Sequence, residues 1–400
     1  MKKRFLLLFL CEFIVLSMAN GQIKHIEKLK QIGFENISVS SSDSILYVAL
    51  EDNIYRWNIK GISVALDSLC SLSMYMDDIK LLIYSEGIPR YVISTKLSLW
   101  KSFREKEITP EEFKSAIEIS YDTKEIINKL KGSPVYNSPA LKTDLVVYPE
   151  IKVKNVFVDK NYDIQLNISP ALETDLWRGG KSIVQFIFPL VNSSRVFGEE
   201  GKYIRPGYVV LKQDLNLYNK LFTSVEAGLF NQNRYGISVS NNYFLNDYIL
   251  LNFQYAFTGF TYFGKEWKFG TLNTSTWSGK GSYYLKWVDT HINLSVQRYL
   301  SSETGVRFEL YRMFGETGIG IYGLIVDGTK NAGFSFRVPI SPSKQNRKGK
   351  FRVKIPNYFN WEYSASDTEN KGNYLQTQPA DKKRGYTENP VYIKYQLLNL

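Results

Sequence analysis

Cysteine and histidine are almost missing from this chain, with two of each among 400 residues. Cys11 and Cys70 cannot build a disulfide framework, and His25 and His291 have no Cys, Asp or Glu at metal-ligand spacing, so neither a metal site nor any other cofactor is expected. Long apolar runs are also missing. Beyond the N-terminus nothing approaches the roughly 18 consecutive apolar residues that a membrane-spanning helix needs. No G-x-S-x-G nucleophile motif occurs. Past residue 150 the helix signals themselves nearly vanish.

The N-terminus reads "MKKRFLLLFLCEFIVLSMANG". Lys2, Lys3 and Arg4 form a basic start, Phe5 to Leu16 an apolar stretch, and Ala19-Asn20-Gly21 offers small residues ahead of a cleavage point before Gln22. This is the pattern of a secretory signal peptide over residues 1–21. The formal charge is +11. Lys2, Lys3, Arg4 and Glu12 account for a net +2 of it, which leaves +9 after cleavage. A basic exported protein is suited to acidic partners such as phosphorylated lipid or acidic polysaccharide, and nucleic acid is not an expected partner. Cys70 would be the only thiol left, so the fold must rest on its core or on lipid.

Residues 22–135 read as a small α/β region. Ile23, Ile26, Leu29 and Ile32 recur at helical spacing and close at Gly33. "ILYVAL" (45–50) is apolar on both faces, as in a strand covered on two sides. "NIKGISVALDSL" carries a helical stripe of Ile59, Ile62, Ala65, Leu66 and Leu69. "IKLLIY" and "RYVIST" read as strands around Gly87. "TPEEF" starts a helix, with Thr109 as cap, Pro110 at the first helical position and Glu112 completing a capping box. "KEIINKLKG" adds a further helix ending at Gly132.

The prolines and glycine of "GSPVYNSPALKTD" (132–144) place a linker over 136–149. From 150 to 400 the apolar period falls from about 3.6 to about 2. Tyr162, Ile164, Leu166 and Ile168 alternate with Asp163, Gln165, Asn167 and Ser169. Leu251, Phe253, Tyr255 and Phe257 alternate with Asn252, Gln254, Ala256 and Thr258. Ile292, Leu294 and Val296 oppose Asn293, Ser295 and Gln297, while Val306, Phe308 and Leu310 oppose Arg307 and Glu309.

Such strands suit either a soluble sandwich with its apolar face inward or a membrane barrel with its apolar face on lipid. Three features favour the barrel. The apolar faces are rich in Tyr, Phe and Trp, as interfacial girdles require. The opposite faces carry charges in mid-strand, among them Glu226, Arg307 and Glu309. About 250 residues of strand without a disulfide fit one closed sheet, for which about 12 strands are expected, within a range of 10–14. The expected fold is an α+β region followed by an antiparallel transmembrane β-barrel.

"GIGIYG" (318–323) matches the dinucleotide fingerprint G-x-G-x-x-G, but that loop must open a helix whose N-terminus meets a pyrophosphate. Here the stretch continues in strand alternation to an Asp-Gly turn. The glycines are better explained by a bent strand or a bulky neighbour.

"EAGLFNQNRYGISV" (226–239), "GVRFELYRMFGETGIGIYG" (305–323) and "NAGFSFRVPISP" (331–342) together resemble the YjbH/GfcD-like family of exopolysaccharide and capsule biosynthesis proteins. The shared marks are Gly228, the Arg312-Met313-Phe314-Gly315 strand end, and Val338-Pro339. "ALEDNIYRW" and "LLIYSEGIPRYVIS" resemble that family's small α/β modules. The resemblance implies an outer-membrane β-barrel with a periplasmic α/β region, not an enzyme, that assists secretion or assembly of a surface polysaccharide alongside other envelope export proteins.

Among individual residues, Arg307, Glu309 and Glu226 are candidate barrel-interior or glycan contacts, with a structural charge ladder as the plainer explanation. Arg347, Lys348, Lys350 and Arg352 are candidate contacts for acidic glycan or lipid phosphate, or else a solvated loop. Glu173 with Asp175, and Glu199 with Glu200, are carboxylate pairs of the kind a glycosidase uses. Both pairs read as exposed loop charges. The alternatives are a soluble secreted glycan-binding β-sandwich and a polysaccharide-cleaving enzyme.

Overall fold

The structure is a computed structural model that describes residues 22–72, 76–156, 161–192, 199–230, 233–364, 373–379 and 388–400. The expected leader, 1–21, lies outside the described residues. The chain forms two compact units, Met1–Pro139 with Lys394–Leu400, and Ala140–Ile393.

The first unit is built on a five-stranded sheet in sequential order: β1 (Glu35–Ser42), β2 (Ile45–Glu51), β3 (Asp78–Ser85), β4 (Ile88–Lys96) and β5 (Glu118–Ser120). Two hairpins turn on residue pairs with positive φ, Asp43-Ser44 and Glu86-Gly87, as two-residue turns matched to strand twist demand. Between them β2 and β3 run parallel, joined through helix α2 (Asn58–Cys70) after α1 (22–32). β2 is buried along nearly its whole length, as its two apolar faces require. Tyr47 and Ala49 pack with Leu82 and Val92 beneath Ile126 and Leu130 of α5 (Lys124–Leu130). α3 (Leu97–Arg104) buries Trp100 beside Phe113 of α4 (Pro110–Ala116). The Thr109 hydroxyl accepts from Glu112 N and the Glu112 carboxylate accepts from Thr109 N, so the capping box forms.

The second unit is one sheet of fourteen strands. Twelve follow in chain order, each antiparallel to the next: β6 (Thr143–Val156), β7 (Asn161–Trp177), β8 (Gly180–Asn192), β9 (Arg205–Tyr218), β10 (Leu221–Phe230), β11 (Arg234–Phe244), β12 (Ile249–Phe263), β13 (Trp267–Leu285), β14 (Thr290–Arg298), β15 (Thr304–Phe314), β16 (Thr317–Val326) and β17 (Thr329–Pro339). The chain then crosses from one end of this order to the other. β18 (Phe351–Lys354) pairs in parallel with β6, and β19 (Tyr358–Ser364) pairs antiparallel with β17. Only residues 355–357 separate these two strands, a span of at most about 14 Å. One short stretch therefore borders both ends of the order, which requires the sheet to curl back on itself.

Two expectations change here. Among the described residues the sheet has fourteen strands, at the top of the expected range of 10–14, but the pairing of β18 with β6 is parallel rather than antiparallel. β6 begins at Thr143, so half of the stretch read as linker (136–149) is strand, and the boundary between units falls at 139/140. Near the C-terminus, Pro390–Leu398 forms helix α6.

Candidate functional site

Burial along the sheet is the reverse of what a soluble protein shows. In β12, Leu251, Phe253, Tyr255 and Phe257 are 41–50 % exposed, while Leu250, Ala256, Thr258 and Thr261 are buried. In β7, Ile164, Ile168 and Leu172 are exposed, whereas Gln165, Asn167, Ser169 and Glu173 are buried. In β14, Leu294 and Val296 face out while His291 and Asn293 are enclosed. The same phase holds at Val306 and Phe308 of β15 and at Ile319, Ile321 and Ile325 of β16.

The scale of this exposure decides what it means. Aromatic side chains carry about 150–250 Å² each, so the half-exposed face of β12 alone presents about 350 Å² of apolar surface. That is already the size of the largest apolar patch on an ordinary soluble monomer, about 300–600 Å². Neighbouring strands repeat it. Exposed aromatics also mark strand ends: Trp177 closes β7, Tyr218 closes β9, Trp267 opens β13, and Trp287 lies between β13 and β14. Arg312, which falls on the apolar phase, is exposed two residues from the end of β15 with its guanidinium 4.9 Å from the Phe314 ring. A long basic side chain can lie over an aromatic ring there and keep its head in water.

The enclosed face combines paired polar and charged side chains with an apolar cluster that includes Val146, Tyr148, Ile183, Tyr208 and Phe230. Arg307 donates to Glu309 at 3.0 Å and to Glu362 of β19 at 2.8 Å, with its guanidinium 3.7 Å over the Tyr322 ring. Asn293 donates to Glu309 at 3.1 Å. Lys212 pairs with Asp214 at 3.1 Å, Ser224 donates to the same carboxylate, and Glu226 is enclosed beside Lys212 in the β9–β10 register. Of the residues singled out from sequence, Arg307, Glu309 and Glu226 thus all lie on this face. Arg307 and Glu309 form part of a charge ladder, and Glu226 accepts a hydrogen bond from Gln378.

The basic candidates divide. Lys348 and Lys350 are exposed. Arg347 and Arg352 instead converge on Asp144 of β6, each at 2.6 Å, with Lys354 at 3.4 Å. Of the two carboxylate pairs, Glu199 and Glu200 lie in a connection, the short turn Glu199–Lys202 between β8 and β9, and the other pair does not. Glu173 and Asp175 lie within β7, where Glu173 accepts from the Tyr148 hydroxyl at 2.5 Å and both approach Lys181, at 3.6 and 3.7 Å. Glu200 accepts from Phe263 N and from the Asn233 side chain, bracing the ends of two hairpins. These contacts explain the carboxylates structurally. Lys212 and Asp214 escaped notice in the sequence although their i, i+2 spacing in "VVLKQDL" puts both on one strand face. Lys181 and Glu362 gave no local signal, since their partners come from other strands.

"GIGIYG" is β16, and no helix follows it. A Cβ on Gly318 or Gly320 would come within 2.2 and 2.7 Å of the Tyr311 side chain on the neighbouring strand. Gly318 and Gly320 make room for that ring, whereas a Cβ on Gly323 would meet nothing. Among the described residues no cluster of His, Cys, Asp and Glu could hold a metal ion, and no helix is long and apolar enough to cross a membrane, which says nothing about strands. No family model matches the chain, and no curated protein matches it either.

Proposed function

We propose that this chain is an outer-membrane β-barrel with a periplasmic α/β region, and that it assists secretion or assembly of a surface polysaccharide without itself catalysing a reaction. The observation that carries the membrane reading is the outward face: large apolar side chains are exposed on strand after strand, while polar side chains are enclosed in β7, β12, β14 and β15. Lipid is the solvent in which that arrangement is favourable. Strand length agrees. β10, β11 and β14 to β17 run 9–11 residues, the length a tilted strand needs to cross a bilayer. The stretch 351–364, bordering both β6 and β17, supplies the place where such a sheet would close.

The polysaccharide role is supported by the phrases around Gly228, Arg312 to Gly315 and Val338-Pro339 that resemble the YjbH/GfcD-like family, and by the basic balance of the chain. Lys348 and Lys350 are the exposed cations best placed to meet acidic glycan or lipid phosphate. The α/β unit is the natural part to engage other envelope proteins of polysaccharide export. The test is deletion of the gene followed by measurement of surface polysaccharide and biofilm, with complementation. A change restored by the intact gene supports the role; unchanged polysaccharide contradicts it.

A further inference from the structure

Residues 373–379 lie against the enclosed face of the sheet. Leu300, beyond the C-terminal end of β14, donates its backbone N–H to Asn373 O at 3.0 Å. Tyr374 packs against Tyr299, Tyr322, Leu324 and Val326. Leu375 is buried in one cluster with Val146, Ala171, Ile183, Val210 and Ala256, side chains of β6, β7, β8, β9 and β12. Gln378 donates to Glu226 in mid-β10. At the other end of β14, Tyr392 is fully buried with its ring 5.7 Å from Tyr284 and 6.1 Å from His291. β14 has nine residues, about 30 Å of strand. Contacts made by residues 373–379 and by Tyr392 therefore bracket the full height of the sheet, all on its enclosed side.

Thirteen long strands at about 4.8 Å spacing and about 40° tilt would close with a backbone diameter of about 26 Å. Wall side chains would leave roughly 15 Å of that open, wide enough for hydrated ions and sugars. A segment placed across this space is not needed to complete any hydrogen-bonded ladder. Its contacts are instead hydrogen bonds and the packing of Tyr374 and Leu375, with no strand pairing.

We propose that residues 373–379 form a built-in plug: this segment occludes the lumen, with Leu375 seated in an apolar cluster of wall residues and Gln378 tethered to Glu226, so that passage through the barrel requires the segment to move. This rests on the barrel reading given above. It assigns an autoinhibitory function to a stretch that is neither part of the wall nor part of the α/β fold.

The test is conductance in planar bilayers of the full-length protein, of a variant in which 373–379 is replaced by Gly and Ser at equal length, and of the milder variant Leu375→Asp. Heat-modifiable migration on a gel verifies that each is a folded barrel. The expected result is a wild type that is closed most of the time and a replacement variant whose mean conductance is at least about tenfold higher, with Leu375→Asp between them. A folded replacement variant as closed as the wild type overturns the plug, and so does a wild type that already conducts equally. If the wild type shows no heat-modifiable form and no insertion, the barrel reading has failed, and the plug falls with it.

Discussion

Arg352 donates from Nε and Nη2 to the two carboxylate oxygens of Asp144, at 3.0 and 2.6 Å, and so ties β18 to β6 across 208 residues of sequence. Arg347 and Lys354 reach the same carboxylate. One anion therefore holds three cations at the point where the two ends of the sheet come together. Asp144→Ala removes the anion and leaves the cations crowded together and enclosed, a loss of about 3–5 kcal/mol. The expected readout is a lower temperature for conversion of the folded to the unfolded band on a gel. Arg352→Lys gives up the paired geometry but keeps the charge, and is expected to fall between wild type and Asp144→Ala.

Phe257 faces outward in the middle of β12, the strand with the largest exposed apolar face described above. On lipid, Phe257→Arg costs about 2–4 kcal/mol, because a charge near the bilayer midplane is poorly solvated. On a face bathed in water the same change would be neutral or would raise solubility. Folding equilibria in lipid vesicles, measured by urea titration, separate these outcomes.

Asp52 lies in the α/β unit beside two further buried carboxylates, Glu35 and Glu51, and burial pushes its pKa up to about 7. Backbone N–H groups of Ile54 and Tyr55 donate to its Oδ1 and oppose that rise without cancelling it. The folded state then holds a proton that the unfolded state releases near pH 4. The contribution of Asp52 to the stability of this unit is therefore greatest below about pH 4, falls as pH rises between about 4 and 7, and levels off above that, a change of about 4 kcal/mol. Asp52→Asn keeps the Oδ1 acceptor and is expected to flatten the profile and raise stability at pH 8. Urea unfolding across this pH range checks both; a profile in Asp52→Asn as steep as in wild type would assign the dependence elsewhere.

Cys70 donates its thiol to Leu97 O at 3.3 Å at the end of α2, and burial pushes its pKa up to about 12. Its thiolate fraction at pH 8 is then about one in ten thousand, against roughly a quarter for an unfolded thiol. In the chain from Gln22 onward, alkylation at pH 8 is expected to be about a thousandfold slower in the native protein than in urea. Equal rates would mean that α2 does not enclose this thiol.

Much of the fold can be read from local pattern. The α/β unit follows its signals closely, from the two apolar faces of β2 to the capping box at Thr109, because helix caps and hairpin turns are short-range. The outward and enclosed phases of β7, β12, β14 and β15 are those that alternation implies. The failures share one physical cause, which is dependence on partners distant in sequence. The start of β6 lies within a stretch resembling a linker because Gly132, Pro134, Pro139 and the polar Lys142-Thr143-Asp144 suggest a turn, and only pairing with β7 and β18 makes it a strand. Glu173 and Asp175 resemble loop charges until Lys181 and Tyr148 are brought against them by hairpin register. The parallel β18–β6 pair and the placement of residues 373–379 against the enclosed face leave no periodic trace, since neither depends on its own neighbours in the chain.

The most direct measurement is fractionation of cell envelopes, followed by alkaline and urea extraction and by gel migration with and without heating. The account predicts that the protein stays with outer membranes, is released by detergent alone, and runs faster unheated than heated. Recovery as a monodisperse monomer in detergent-free buffer, with Phe253, Tyr255 and Phe257 protected from solvent by protein, would contradict it.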